Sequence, residues 1–432
     1  MPQRPPRILF ASPQTLFDVS NGASMQCYTM LQSLARRGLE TASIGGGIFD
    51  NPAGEERIPE LERQIEAMPD TELRLNIDRS AGADHPIRHY FFTGFKKTAW
   101  MSATLGECNR FLLHYARLLR RFKPDVVMGY GADALSRSMW LEAELFGIPS
   151  VYVLCNANHL RYRFPQHALL LCDSRATAEY YREREGLLVH PVGNFINPAI
   201  VCAENRRPRW VTFVNPSPSK GAAVAARIIL TANRERPDIG FQIVETRQSF
   251  VSSIRAMAKR APSLERAAFR NVRILKAQWD VKSIYAETAV LLVPSLGFES
   301  WGRVATEAVM NGIPVLASTT GGLPEAVGSG GIVLDPPKSC AGARENWLRL
   351  PSESECRPWI DALYRLWDEG GSAMWQKRCA DAAAKNALDA CTDRLLEALR
   401  PLLEKRAGDR DFSRLGSIRF EGDPLGGAAE TR

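Results

Sequence analysis

Two glutamates, Glu299 and Glu307, stand eight positions apart in the run PSLGFESWGRVATEAVMNGIPVLAS, Pro294 to Ser318, and a lysine, Lys220, lies in the earlier run FVNPSPSKG, Phe213 to Gly221. A carboxylate offers two acceptor oxygens, which suits it to hold the paired hydroxyls of a sugar ring or a ribose. An ammonium beside a phosphate neutralises charge that grows on a leaving group. The competing reading makes both glutamates solvated helix-surface residues and Lys220 a surface lysine in a proline-rich loop. What surrounds these residues separates the two readings.

VLLVPS, Val290 to Ser295, reads as a buried parallel strand, an apolar run closed by proline. The glycine-bearing stretch GFESWG follows, and RVATEAVMNG reads as a helix whose Val304, Ala305, Ala308 and Val309 are spaced to face a sheet. Strand, glycine turn and helix start make an anion site, because the first amides lack intrahelical partners and the macrodipole places roughly half a positive charge there. Glu299 then sits at the mouth and Glu307 one to two turns into the helix. Lys220 occupies the same context, after a strand and before a helix.

The text FESWGRVATEA, then NGIPVLAS and TTGGLPEAV, resembles the retaining glycosyltransferases of family 4, which carry two glutamates eight apart and a glycine pair after the next strand. The resemblance extends more weakly to about residue 400. It implies a GT-B fold: α/β, with two Rossmann-like doubly wound parallel-sheet domains facing a central cleft, the donor in the C-terminal one and the acceptor on the N-terminal one. It also implies a hexosyl/glycosyltransferase that moves a sugar from a nucleotide-diphosphate-sugar donor to an acceptor hydroxyl with retained configuration. Lys220 and the amides of Gly297 to Gly302 would stabilise the leaving phosphate, Glu299 would hold sugar hydroxyls and Glu307 the ribose. The donor set expected is Gly22, Asn215, Lys220, Arg247, Gly297, Phe298, Glu299, Ser300, Trp301, Gly302 and Glu307, with Glu299, His159 and Lys220 as the catalytic residues.

The family usually has an arginine five positions before the lysine, where this chain has Asn215, so neutralisation rests more on Lys220 and another cation such as Arg247, or donor binding is weaker. Asn21, Gly22 and Ala23 occupy the glycine loop after the first strand, with one glycine where the family has a pair; an Asn-Gly is otherwise a turn. Arg303 either lies over the phosphates or points to solvent. Thr320, Gly321 and Gly322 suit close backbone approach to a ligand or an ordinary turn. Trp279, in a stretch resembling the one that frames the base, stacks on the base or packs in the core, and Asp280 is a good helix N-cap. His159, after VYVLC, matches a histidine near the donor sugar; Asn158 can take that place, and a simple loop histidine is the alternative.

The chain has 432 residues, 45% hydrophobic and 24% charged, enough for two buried cores. Its net charge of +7 suits a phosphorylated donor, an anionic acceptor or a membrane surface. There is no zinc-finger, helix-turn-helix or RNP signature, so no nucleic-acid partner is expected. The G-x-S-x-G serine motif and the GxxxxGK[ST] phosphate loop are absent. With no His/Cys/Asp ligand spacing and no DxD in a donor context, neither metal nor cofactor is expected. Nine cysteines without a CxxC or a regular framework point to a reducing cytoplasm, and no stretch reaches the length of a membrane span or a signal peptide.

Strands alternate with helices throughout: RILFAS, TASIGG, PDVVMGY, IPSVYVLC and HALLLCDS in the first half, WVTFVN, FQIVE, VRILKA, VLLVPS, IPVLAS and GGIVLDPP in the second. The domains expected are 1–198 (acceptor side), 199–385 (donor), a helix over 386–405 that packs back toward the first domain, and a mobile tail over 406–432. Residues 48–88 read as polar and weakly periodic, and His190 to Trp210 as the linker. The acceptor, a natural product, lipid-linked sugar or polysaccharide, is not legible. The basic stretch LLRRFK, Leu118 to Lys123, and the run carrying Lys96 and Lys97 admit peripheral contact with the inner membrane face, against a helix packed on a sheet. The competing functions are a GT-B nucleotide-sugar epimerase and a catalytically silent nucleotide-binding GT-B scaffold.

Overall fold

The computed structural model describes residues 4–49, 66–67, 72–82, 84–95, 102–162, 164, 167–246, 248–259, 269–278 and 280–404. The N-terminal unit runs to Cys172 and takes in Tyr181–Phe195 and the chain from Thr392 onward; the C-terminal unit comprises Asp173–Tyr180 and Ile196–Cys391.

In the N-terminal unit the strands are β1 (Arg7–Ala11), β2 (Glu40–Gly46), β3 (Glu66–Ala67), β4 (Leu73–Asp78), β5 (Ile87–Phe92), β6 (Val126–Gly129), β7 (Ser150–Leu154), β8 (His167–Cys172) and β9 (His190–Pro191). They form one sheet in the order β3-β4-β5-β2-β1-β6-β7-β8-β9. All pairings are parallel except β3 with β4 and β4 with β5. β1 buries Ile8, Leu9 and Phe10 completely or nearly so, as a strand covered on both faces must.

β4 falls in the stretch 48–88 expected to be polar and weakly periodic, and β5 lies mostly beyond it, in a run for which no strand was expected. β5 is a buried strand, but its Arg88 and His89 break the apolar run; His89 is accommodated by Ser43 Oγ, 2.7 Å from Nδ1, and by the stacked ring of Tyr28. β4 pairs antiparallel with β5, its residues beyond Leu73 partly or fully exposed, so its apolar signal is weak.

The C-terminal unit holds β10 (Trp210–Val214), β11 (Phe241–Glu245), β12 (Val272–Lys276), β13 (Thr288–Val293), β14 (Val315–Ser318) and β15 (Gly331–Leu334). Their order is β12-β11-β10-β13-β14-β15, with every pairing parallel. The order reverses between β10 and β13, and in open α/β sheets ligands collect at such a switch point, outside the strands' carboxyl ends. The helix Ala222–Glu235 lies against this sheet through fully buried Ala222, Ala223, Ala225 and Ala226, whose small side chains permit close approach, with Ile228 and Ile229 filling the core. The helix Glu353–Glu369 opens on a capping box between Ser352 and Glu355 and adds Trp359, Ile360 and Leu363.

The segment expected as a linker includes the division between the two units at Phe195 and Ile196; it contains β9 and the helix Pro198–Val201, and Asn194, Phe195, Ile196 and Val201 are buried. Its prolines and asparagines serve local turns, since Asn197 caps that helix by accepting from the Ala199 amide at 3.0 Å. The expected tail over 406–432, with Lys96 and Lys97, lies outside the described residues. The stretch Leu118 to Lys123 is the end of the helix Leu105–Phe122, with Leu118, Leu119 and Phe122 buried and Arg120 over the Phe146 ring. No helix among the described residues is long and apolar enough to cross a membrane.

Candidate active site

The loops that leave β10 and β13 meet at the switch point of the C-terminal sheet. Leu296 and Gly297 donate their amides to the Ser219 carbonyl at 2.8 and 2.9 Å, which ties the two loops together. Lys220 closes a short 3-10 turn, Pro218–Lys220, and its Nζ lies 2.6 Å from Glu299 Oε1. Ser295 Oγ donates to the same oxygen at 2.6 Å. The Glu299 side chain keeps 12% of its surface exposed and Lys220 keeps 36%, so the pair sits at the rim of the loop cluster with water on one side.

Glu307 is more enclosed, with 7% of its side chain exposed. It is the fifth residue of the helix Arg303–Met310 and faces inward because Ala305, Ala308 and Val309 pack beneath it. Its two oxygens have separate donors: Tyr285 O–H reaches Oε2 at 2.6 Å, and Arg303 Nε reaches Oε1 at 2.7 Å. Burial pushes the Tyr285 phenol well above its ordinary range, and the Glu307 charge pushes it further, so Tyr285 stays a proton donor at any working pH. Neither glutamate is therefore a solvated helix-surface residue. Arg303 does not point to solvent; it folds onto Glu307 across one helical turn.

The glycines have distinct reasons. Gly302 caps the helix start at φ +100°, and Gly321, at φ +57°, lies so close to the preceding loop that a Cβ would stand 2.0 Å from the Glu299 carbonyl oxygen. The Gly322 amide donates to that same carbonyl at 2.8 Å. The glycine pair thus fixes the backbone that carries Glu299.

Asn215 has a backbone reason too. It holds φ +57°, in the left-handed region that asparagine tolerates better than arginine, and its side-chain oxygen is buried without a hydrogen-bond partner among the described residues. The expected donor amides of Gly297 to Gly302 are not equivalent. The Gly297 amide is already bonded to Ser219, so it does not face a phosphate. The Trp301 ring is buried in the core with its N–H donated to Thr306 Oγ1 at 2.8 Å, while the expectation for this residue concerned its backbone amide. Phe298 is half exposed, and Arg247 and Trp279 lie outside the described residues. Asp280 is the expected N-cap, accepting from the Lys282 amide.

Residues that the sequence reading did not single out complete the loop's support. Within the C-terminal unit Thr177 Oγ1 donates to the Ser300 carbonyl at 3.1 Å, the rings of Tyr180 and Phe298 lie 4.8 Å apart, and Glu325 accepts from the amides of Arg175 and Ala176. Distant in sequence, Thr177 and Tyr180 carry no local signal. Ser295 and Tyr285 were visible only as strand-end and helix residues.

In the N-terminal unit Gly22 begins the helix Gly22–Arg36, capped by Asn21, and a Cβ there would meet nothing within 4 Å. His159 follows β7 and packs edge-on against Tyr152 and Phe164, its amide donating to Tyr181 Oη. Burial lowers the His159 pKa, so the imidazole is neutral at neutral pH. Among the described residues no group of three or more His, Cys, Asp or Glu side chains is placed to hold a metal ion.

A glycosyltransferase from Rickettsia africae superposes on 93% of this chain and 100% of its own at TM-score 0.62 and 12% identity. Anabaena Alr3699/HepE in complex with UDP and glucose covers 91% of this chain and 99% of its own at TM-score 0.61 and 15% identity. Sucrose-phosphate synthase from Thermosynechococcus elongatus covers 92% and 99% at TM-score 0.60 and 13% identity. The fold is GT-B. Residues 214–350 match the family model Glycosyl transferases group 1, a glycosyltransferase domain that contains Lys220, Glu299 and Glu307. No curated protein matches the chain. In this GT-B chain the matched region spans the carboxyl ends of β10 and β13, where the two ion pairs lie.

Proposed function

We propose that this protein transfers a sugar from a nucleoside-diphosphate-sugar to an acceptor hydroxyl, with retained anomeric configuration and without a metal ion. The observation that carries the reading is the Lys220–Glu299 pair at the switch point of a glycosyltransferase domain, with Glu307 held inward eight residues further on. Alr3699/HepE has been captured with UDP-glucose, and starch synthase IV of Arabidopsis thaliana with ADP and acarbose, which supports a nucleotide-sugar donor here.

Lys220 supplies the cation that neutralises the departing diphosphate, a task that elsewhere falls to a divalent metal. Glu299 Oε1 is occupied by Lys220 and Ser295, which leaves Oε2 to accept from a sugar hydroxyl. Glu307 takes the ribose hydroxyls. As the glycosidic bond to the diphosphate breaks, the anomeric carbon becomes oxocarbenium-like, and the acceptor hydroxyl attacks from the same face, passing its proton to the departing phosphate. His159 and the loop before Gly22 belong to the acceptor side in this scheme, with the neutral imidazole accepting from a hydroxyl. The nine cysteines, without a CxxC or a regular framework, fit a reducing cytoplasm; peripheral membrane contact through the outer face of the Leu105–Phe122 helix is testable by liposome pelleting.

The test is a panel of UDP-, ADP- and GDP-sugars with a mixture of alcohol acceptors, followed by proton NMR of the anomeric coupling in the product, with and without EDTA. An α-linked product from an α-linked donor, unchanged by EDTA, supports the reading. An inverted product or loss with EDTA overturns the finer mechanism, and epimerised donor without acceptor moves the protein to the epimerase class.

A further inference from the structure

Glu307 is useful as a ribose holder only if its carboxylate plane is fixed, and the structure shows how that is done. A glutamate on a helix has three side-chain torsions, and an ordinary one sweeps several rotamers. Here the Tyr285 hydroxyl, on a side chain that is 2% exposed, donates to Oε2 at 2.6 Å. Arg303 Nε donates to the other oxygen, Oε1, at 2.7 Å. Water does not take the place of the tyrosine, because Tyr285 belongs to the buried cluster that also holds Leu291, Val293, Trp301 and Ala305. Tyr285 itself is anchored by the helix Val281–Glu287, capped by Asp280 and leading directly into β13. One donor bond per oxygen leaves each oxygen an open lone pair, so the carboxylate is both immobilised and still able to accept two hydroxyl protons.

We propose that Tyr285 is a positioning residue for nucleotide recognition: its phenol orients Glu307 so that the carboxylate accepts both hydroxyls of a ribose, and it thereby sets the preference for ribonucleotide over deoxyribonucleotide donors. The inference rests on the reading of Glu307 as the ribose holder. Arg303 alone does not suffice for this task. As an (i, i+4) partner on the same short helix, it moves with Glu307, whereas Tyr285 fixes the carboxylate against the sheet. The buried phenol also remains neutral and protonated, so the orientation is held across the whole working pH range.

The experiment uses the full-length protein and calorimetric titration with the nucleoside diphosphate that binds most tightly among UDP, ADP and GDP, beside its 2′,3′-dideoxy analogue. Wild type is expected to bind the ribonucleotide at least 10-fold more tightly than the dideoxy compound. Tyr285→Phe removes only the hydroxyl and is expected to bring that ratio to within about 3-fold, mainly by weakening the ribonucleotide, with the dideoxy affinity nearly unchanged. A purely structural tyrosine would weaken both ligands together and leave the ratio intact, and that outcome overturns the proposal. Glu307→Gln is the control that separates the two levels. If it abolishes the ratio while Tyr285→Phe keeps it, Glu307 holds the ribose but Tyr285 does not position it. If wild type itself does not discriminate, the ribose reading of Glu307 fails first. Circular dichroism melting of Tyr285→Phe establishes that the ratio is read on folded protein; should that variant not fold, Tyr285→His, which retains a ring N–H donor, is expected to keep a ratio above 3-fold, and a ratio at or below that value counts against the proposal.

Discussion

Replacing Glu299 with glutamine should separate stability from chemistry. Glu299 Oε1 receives one bond from Lys220 and one from Ser295, each 2.6 Å long. Glutamine keeps an amide oxygen for Ser295, so the main structural loss is the charge pairing with Lys220. Lys220 is about a third exposed, and such partly solvated pairs contribute only about 0.2–1 kcal/mol. For a domain of this size that corresponds to a melting shift of at most roughly 4 °C. If Glu299 instead holds donor-sugar hydroxyls in the transition state, the lost charge-assisted bonds cost about 2–4 kcal/mol, roughly 30- to 1,000-fold in kcat/KM. A third consequence follows from the geometry. Lys220 is released from its carboxylate partner, so the free nucleoside diphosphate should bind as tightly as to wild type or more tightly, while the sugar nucleotide binds less well. Differential scanning fluorimetry, calorimetry with both ligands and initial rates over a donor range measure the three quantities on one preparation. The reasoning is refuted if kcat/KM falls less than about 5-fold, or if diphosphate and sugar nucleotide lose affinity in parallel.

Lys220→Met should weaken nucleoside diphosphate binding by roughly 10- to 100-fold and flatten its dependence on salt, measured by titration at low and high ionic strength. Glu307→Gln should raise the donor KM more than it lowers kcat, since it acts on binding remote from the reacting carbon; steady-state kinetics with a turnover loss as the main effect would move Glu307 to a catalytic role. Gly321→Ala places a Cβ against the Glu299 carbonyl in a left-handed conformation and should destabilise by about 1–3 kcal/mol or more while displacing Glu299, seen as lower melting together with lost transfer. Burial lowers the His167 pKa from 6.5 to about 4, so the unfolded chain takes up a proton there before the folded one does. Stability from this group is complete above pH 6.5 and is lost as pH falls toward 4, by about 3 kcal/mol at most, and urea melts of His167→Gln should show a shallower decline across that window.

The alternation of strand and helix was legible wherever a strand is covered on both faces, because such strands are unbroken apolar runs: RILFA, SVYVL and FQIVE coincide with β1, β7 and β11. It failed at β4 and β5, where partial exposure and the buried polar His89 remove the period. At the candidate site Lys220 and Glu299 stood out because they follow strand ends in glycine-bearing loops, and Glu307 because it lies on the helix that comes next. Their partners were not. Tyr285 and Ser295 reach the glutamates only once the helix Val281–Glu287 and β13 are folded, and Thr177 and Tyr180 come from more than a hundred residues away. Trp301 was expected to act through its amide, and its ring fills the core. The exchange of arginine for Asn215 has its account in φ, a quantity that sequence carries only indirectly.

The most direct test is isothermal titration of UDP, ADP and GDP, each with and without EDTA, into wild type and Lys220→Met. A nucleotide-sugar site at the β10/β13 switch point predicts that one diphosphate binds with clear preference, that EDTA leaves its affinity unchanged, and that Lys220→Met loses at least 10-fold. Binding of none of the three to folded wild-type protein, or binding that Lys220→Met leaves intact, would contradict it.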